Sequence, residues 1–267
     1  VRAPSTRDRA YAIRELSLEL ALRAGTCHIG SALSIADLLA VAYFDVLRDT
    51  DTFILSKAHA GSALMATLAL RGTIDRDRLL DEYCQDGGAF GGHAERGVPG
   101  VEISGGSLGH GLPIAVGRAL AARIDGTDSR TYVVMGDGET DEGSVSEAAA
   151  LAGRLRLASL IGVVDANGHQ GLEAEHGPDR WERFADRFTA AGWDVVTLDG
   201  HDHDALRAAL VPSPGADRPR LLIARTVKGR GVDYMEDRFD SHYRSVRPHD
   251  RERLMGALAA GAGRAVA

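Results

Sequence analysis

Four short apolar runs recur through the second half of this 267-residue chain: TYVVM at 131–135, SLIGVVD at 159–165, WDVVTL at 193–198 and RLLIART at 220–226. Helical stretches separate them, and alternation of this kind builds a parallel sheet with helices on both faces. TFIL at 52–55 is a fifth strand candidate. Helical spacing marks residues 8–24, 58–71, 75–83 and 112–124. A further helix is predicted to start at Ser34, as N-cap with Asp37 three residues on, and to run through Ala42. No internal repeat or linker divides the chain. The expectation is a single α/β domain over residues 1–267, with a central, mostly parallel sheet and a mobile tail over about 250–267.

Charge and cysteine usage narrow the function. The net charge is −7 and no basic stripe stands out, which argues against a nucleic-acid partner. No apolar run of about 18 residues is available to span a membrane. Cys27 and Cys84 form neither a CxxC pair nor a disulfide framework, so a reducing, cytoplasmic setting is expected.

The stretch MGDGETDEGSVSEAAALAGRLRLASLIGVVDANGHQ, residues 135–170, holds the most specific pattern. It reads as strand, glycine turn, helix, strand and polar turn. Asp137 and Asn167 each follow an apolar run, and direct pairing of those strands would set them side by side at the ligand-binding edge of the sheet. Gly136 and Gly138 let backbone approach a bulky anion, and a helix starting near Gly143 would aim free N–H groups there. Two readings stand: small polar residues filling two loops, or two side chains reaching one ion. A carboxylate, an amide oxygen and a carbonyl suit Mg²⁺ or Ca²⁺ rather than zinc, and Mg²⁺ favours a diphosphate as co-ligand. DGETDEG imitates the start of an EF-hand, but Ala148 stands where the bidentate Glu is required. The chain lacks GK[ST], and no GxGxxG follows its first strand, so neither a P-loop nor a dinucleotide site is indicated.

The span GDG(x)4-G(x)3-EAAALA followed by VVDANGHQ resembles the thiamine diphosphate signature of the transketolase family, most of all the N-terminal subunit of split, two-chain members. FILSKAHAGSAL at 53–64, GGHAERGVPGVEISGGSLGHGLPIAVG at 91–117 and DSH at 240–242 follow in the family's order, so the resemblance covers roughly residues 8–245. It implies thiamine diphosphate with Mg²⁺ (Ca²⁺ or Mn²⁺ as alternatives), the metal held by the side chains of Asp137 and Asn167 and the carbonyl of His169. It implies that Gly136, Asp137, Gly138 and Asn167 meet the diphosphate end. Gly106, Ser107 and Leu108 would line the cofactor beside His59 and His242. His28, His59, His93 and His242 match the family's active-site histidines, and Glu142 matches an acid that links two active sites at the subunit interface.

The implied reaction moves a two-carbon ketol unit from a ketose (or its phosphate) to an aldehyde. The cofactor would hold the electrons while imidazoles orient hydroxyls and move protons. His176, His201, His203 and His249 carry no such match and are read as structural or solvated, with HDHD at 201–204 as a turn and helix cap. Three departures bear on substrate: Ser146 where the family has an aromatic, Tyr243 after the last histidine where it has Gly, and a short segment before TFILSKAH. The first two tilt the reading toward a specialised biosynthetic pathway. The glutamate that activates the cofactor lies in the family on a pyrimidine-binding domain, which this chain does not reach. A partner subunit carrying that domain is therefore expected, in an α2β2 heterotetramer, with apolar contact surface around the GDG helix and residues 107–125. The alternatives are the α subunit of a 2-oxoacid dehydrogenase or decarboxylase, and a non-catalytic relic of the fold.

Overall fold

Ser5 starts the first helix by a reciprocal cap. Its Oγ accepts the Asp8 N–H at 3.2 Å, and Asp8 Oδ2 accepts the Ser5 N–H at 3.0 Å. That helix, α1 (Thr6–Ala24), ends at Gly25 in the left-handed conformation. The computed structural model describes residues 3–26, 28–170, 180–238 and 245–263. After α1 come α2 (Ile29–Ser34) and α3 (Ala36–Val41), which runs on as a π-helical turn over Ala42–Val46. Next are β1 (Thr52–Leu55), α4 (Gly61–Arg71), α5 (Arg76–Glu82), α6 (Gly111–Ile124), β2 (Thr131–Gly136), α7 (Gly143–Arg154) and β3 (Leu160–Ala166). The chain continues through α8 (Arg180–Ala190), β4 (Asp194–Asp199), α9 (His203–Leu210), β5 (Arg220–Arg225) and α10 (Arg251–Gly261).

The strands form one sheet in the order β1-β2-β3-β5-β4, and every pair is parallel. Alternate side chains enter two cores, as the two-residue period of a strand requires. Tyr132 and Val134 face one core with α1 to α5, α9 and α10, while Val133 and Met135 face the other with α6, α7 and α8. The expected fold class is therefore observed. No described helix is long and apolar enough to cross a membrane.

Two expectations need correction. Ser34 is not an N-cap but the last residue of α2. Its hydroxyl turns to the buried Asp165 carboxylate at 2.8 Å, and Ile35 breaks the chain before α3. The tail also holds a packed helix: Leu254 and Leu258 of α10 are buried against the core. Burying a leucine side chain contributes about 1.5–3 kcal/mol, enough to order a helix of simple composition.

Asp37 of α3 is the charged anchor of the first core. It accepts from Arg14 of α1, from His201 Nδ1 at 2.7 Å and from His203 Nε2 at 2.9 Å. Burial would raise its pKa, but the two histidine bonds and the Arg14 charge hold the carboxyl far below the usual carboxylate range. Asp37→Ala leaves Arg14 buried and uncompensated, so the unfolding free energy at pH 7 should drop by about 3–5 kcal/mol. A depressed carboxylate stabilises above its unfolded-state pKa. The gap between wild type and variant should therefore persist on acidification until about pH 4. Denaturant unfolding across pH tests both; a gap under about 1 kcal/mol would contradict the anchor role.

Candidate active site

The β2–β3 register pairs Gly136 with Asp165, so Asp137 and Asn167 emerge beside each other at the C-terminal edge of the sheet. The Asp137 carboxylate joins the two turns. Its Oδ1 accepts the Gly138 N–H at 2.9 Å and its Oδ2 the Gly168 N–H at 2.8 Å. Asn167 Nδ2 donates to Asp165 Oδ2 at 2.9 Å, and Asn167 Oδ1 accepts the His169 N–H at 3.2 Å. A cavity of about 310 Å³ opens above these groups.

Most of the predicted site residues meet there. His28, His59, His93, Gly106, Leu108, Gly136, Asp137, Gly138, Asn167 and His169 all line the cavity. His28 caps α2 in the left-handed conformation (φ 64°), a backbone state uncommon for L-residues. That places its ring 5.5 Å, centroid to centroid, from the ring of His59 on the 3₁₀ turn Ala58–Ala60. His93 is exposed, on the long glycine loop. Ser107 and Glu142 are not among the lining residues. Ser107 is exposed beside its two lining neighbours, and Glu142 is exposed at the start of α7. His242 lies outside the described residues.

The glycine loop is pinned from below by Glu139, which sequence reasoning missed. Its Oε1 accepts from Ser56 Oγ and from the Gly109 N–H at 2.9 Å, and its Oε2 accepts the Gly136 N–H at 3.2 Å. Gly109 must be glycine: its φ is +81°, and a Cβ would sit 2.7 Å from Glu142 Cβ. Gly111 opens α6 against Ser56, whose Cα would be 2.9 Å from an added Cβ. Burial raises the Glu139 pKa, its three hydrogen bonds opposing this. Glu139→Ala strands buried donors and should destabilise the chain by about 1–3 kcal/mol for each one left unpaired. Hydrogen exchange at the Gly109 amide should accelerate in the variant; unchanged protection there would mean that other contacts hold the loop.

Lys57, Asp165 and Lys228 were also missed. Lys57 forms an ion pair with Asp165 in which both side chains are buried. Asp165 additionally accepts from Ser34 and Thr226. Lys228 Nζ donates to the His169 carbonyl at 2.8 Å, and burial together with the Lys57 charge lowers its pKa to about 8. The sequence did carry a lone acid inside the apolar run VVDA.

The donor set fits a divalent cation. Burial, then the neighbouring Asp165 charge, raises the Asp137 pKa, so its negative charge is incompletely compensated by the protein alone. Asp137, Asn167 and the His169 carbonyl offer oxygen donors, each with lone pairs beyond the bonds described. Among the described residues no group of three or more His, Cys, Asp or Glu side chains could hold a metal. A cation here would thus complete its shell with ligand or water oxygens, as Mg²⁺ prefers. Lys57, paired with Asp165, and Lys228 both line the cavity, and the Lys228 ammonium adds positive potential suited to a diphosphate.

Residues 5–257 match the family described as the thiamine diphosphate binding domain of transketolase. The chain is 38% identical over 233 residues to one subunit of the apulose-4-phosphate transketolase of Phocaeicola vulgatus, covering 84% of this chain and 83% of that one. It is 37% identical over 247 residues to the 6-deoxy-6-sulfo-D-fructose transketolase subunit SqwG of a Clostridium species, covering 88% and 89%. The crystal structure of transketolase from Campylobacter jejuni superposes with a TM-score of 0.87 at 28% identity, over 99% of this chain but 43% of that longer one.

Proposed function

Since the chain belongs to the transketolase family, we propose that it is the diphosphate- and cation-binding subunit of a two-chain, thiamine diphosphate-dependent transferase. The reaction we propose is transfer of a two-carbon ketol unit from a ketose or ketose phosphate to an aldehyde. The observation that carries this reading is the pairing of Asp137 and Asn167 on adjacent strand ends, below a cavity lined by His28 and His59. The near-full-length match to proteins named as transketolase subunits supports it. A 2-oxoacid dehydrogenase or decarboxylase subunit is not favoured by these relatives.

Each part of the chain has a role in this account. Asp137, Asn167 and the His169 carbonyl would hold Mg²⁺, which would supply counter-charge for the diphosphate. Lys57 and Lys228 balance charge at that end, and Gly106 and Leu108 shape the wall beside it. Thiamine diphosphate, when bound, supplies the electron sink for carbon–carbon cleavage. His28 and His59, with rings 5.5 Å apart, take neighbouring oxygens of the carbohydrate and move protons to and from them. His93 and His242 complete the histidine set in this proposal, and Glu142 faces the partner rather than the cavity.

The assembly we propose is a cytoplasmic α2β2 heterotetramer, with the pyrimidine-binding domain on the partner subunit. Exposed Leu108, Ile114 of α6 and Leu151 of α7 support a contact surface on that side. One relative is named for apulose 4-phosphate and the other for 6-deoxy-6-sulfo-D-fructose. We extend the reading accordingly to a specialised donor rather than the common pentose phosphates. Turnover assays on the reconstituted complex should show ketol transfer that is poor with xylulose 5-phosphate and ribose 5-phosphate. Efficient turnover of that pair would overturn the specialised donor, and no transfer from any ketose would overturn the transferase.

A further inference from the structure

HDHD at 201–204 does more than start a helix. Asp202 caps α9, accepting the Asp204 and Ala205 N–H groups at 3.0 and 3.2 Å. The two histidines turn inward to Asp37, and His203 Nδ1 also meets Thr6 Oγ1 at 2.7 Å. His201 has a second bond that leaves this cluster: the Val227 backbone N–H donates to its Nε2 at 2.9 Å. A backbone N–H can only donate, so Nε2 carries the lone pair and Nδ1 carries the proton given to Asp37. Asp37 thereby selects the tautomer that can accept from Val227.

Val227 precedes Lys228, the residue that reaches the cavity and donates to the His169 carbonyl. The flanking residues are tied elsewhere. Thr226 Oγ1 donates to Asp165, the Gly229 N–H donates to the Gly30 carbonyl at 3.0 Å, and the Asp237 N–H donates to the Lys228 carbonyl at 3.0 Å. The residue on the lysine's N-terminal side is therefore held at its N–H by His201, from outside the cavity.

We propose that His201, its tautomer set by Asp37, is a positioning residue that fixes the Val227–Lys228 turn so that the Lys228 ammonium sits at the cation and diphosphate end of the site. This rests on the functional reading above. The ligand class it serves is the diphosphate-bearing cofactor with its divalent cation.

Two substitutions separate this role from simple core support. His201→Asn keeps a donor for Asp37 near the position of Nδ1 but loses the acceptor for Val227. His201→Gln keeps an acceptor near the position of Nε2 and gives up the direct Asp37 bond. Titration of thiamine diphosphate with Mg²⁺ into the two-chain complex should show about 10–100-fold weaker binding for His201→Asn, the range typical of groups that orient ligands. His201→Gln should stay close to wild type. In a Lys228→Met background, His201→Asn should add no further loss, because both act through one group. Melting temperatures of the cofactor-free variants report core support separately. The proposal is overturned if Asn binds as well as wild type, if Gln is the weaker binder, or if the Asn loss is undiminished in the Lys228→Met background. Failure of the wild-type complex to bind the cofactor would instead overturn the functional reading.

Discussion

Asp137→Ala is expected to weaken Mg²⁺-dependent binding of thiamine diphosphate by more than about 100-fold, beyond what the loss of an orienting group produces. Asp137 is the single carboxylate in the proposed ligand set, so no other side chain there supplies a formal charge to the cation. The fold should survive the change. Burial and the Asp165 charge raise the Asp137 pKa, and an acid whose folded-state pKa is raised opposes folding once ionised at neutral pH. Removing it relieves that penalty, against the loss of acceptors for the Gly138 and Gly168 N–H groups. The two effects oppose each other, so the cofactor-free variant should stay folded with a modest change in melting temperature, while the increase on adding cofactor disappears. Undiminished affinity would overturn the metal assignment, and an unfolded variant would make Asp137 a structural residue.

His59→Ala is expected to lower turnover of the reconstituted complex by about 10²–10⁴-fold, the range for a positioned acid or base. His59 is half-buried on a short 3₁₀ turn, and its neighbours Ala58 and Ala60 carry the apolar contacts that seat the turn. Thermal stability should accordingly change little. In the proposed function His59 acts together with the neighbouring His28, so the double variant should lose less than the sum of the single losses. Full turnover in His59→Ala would return this histidine to the packing residues. A large drop in melting temperature together with turnover would point the same way.

The sheet was legible because its strands are apolar on both faces and alternate with helices, a pattern that survives without any knowledge of contacts. The pairing of β2 with β3 followed from their adjacency in sequence, and with it the meeting of Asp137 and Asn167. The histidines came from motifs whose order a resemblance could read. Contacts that depend on distant partners were not legible. Lys57 and Asp165 lie 108 residues apart, and Asp37 and His201 lie 164 apart. A single sequence carries no mark of such pairs beyond an acid placed in an apolar run. Ser34 departs from its expected role for the same reason: its cap-like context is local, but the Asp165 carboxylate beneath it decides where its hydroxyl goes.

The most direct test of the central claim is calorimetric titration of thiamine diphosphate with Mg²⁺, first into this chain alone and then into the chain mixed with a candidate partner subunit carrying the pyrimidine-binding domain. A site completed by a second subunit predicts tight, metal-dependent binding in the mixture and little in the chain alone. Absence of binding in both would contradict the account, leaving the Asp137–Asn167 pair as a structural feature of the sheet edge.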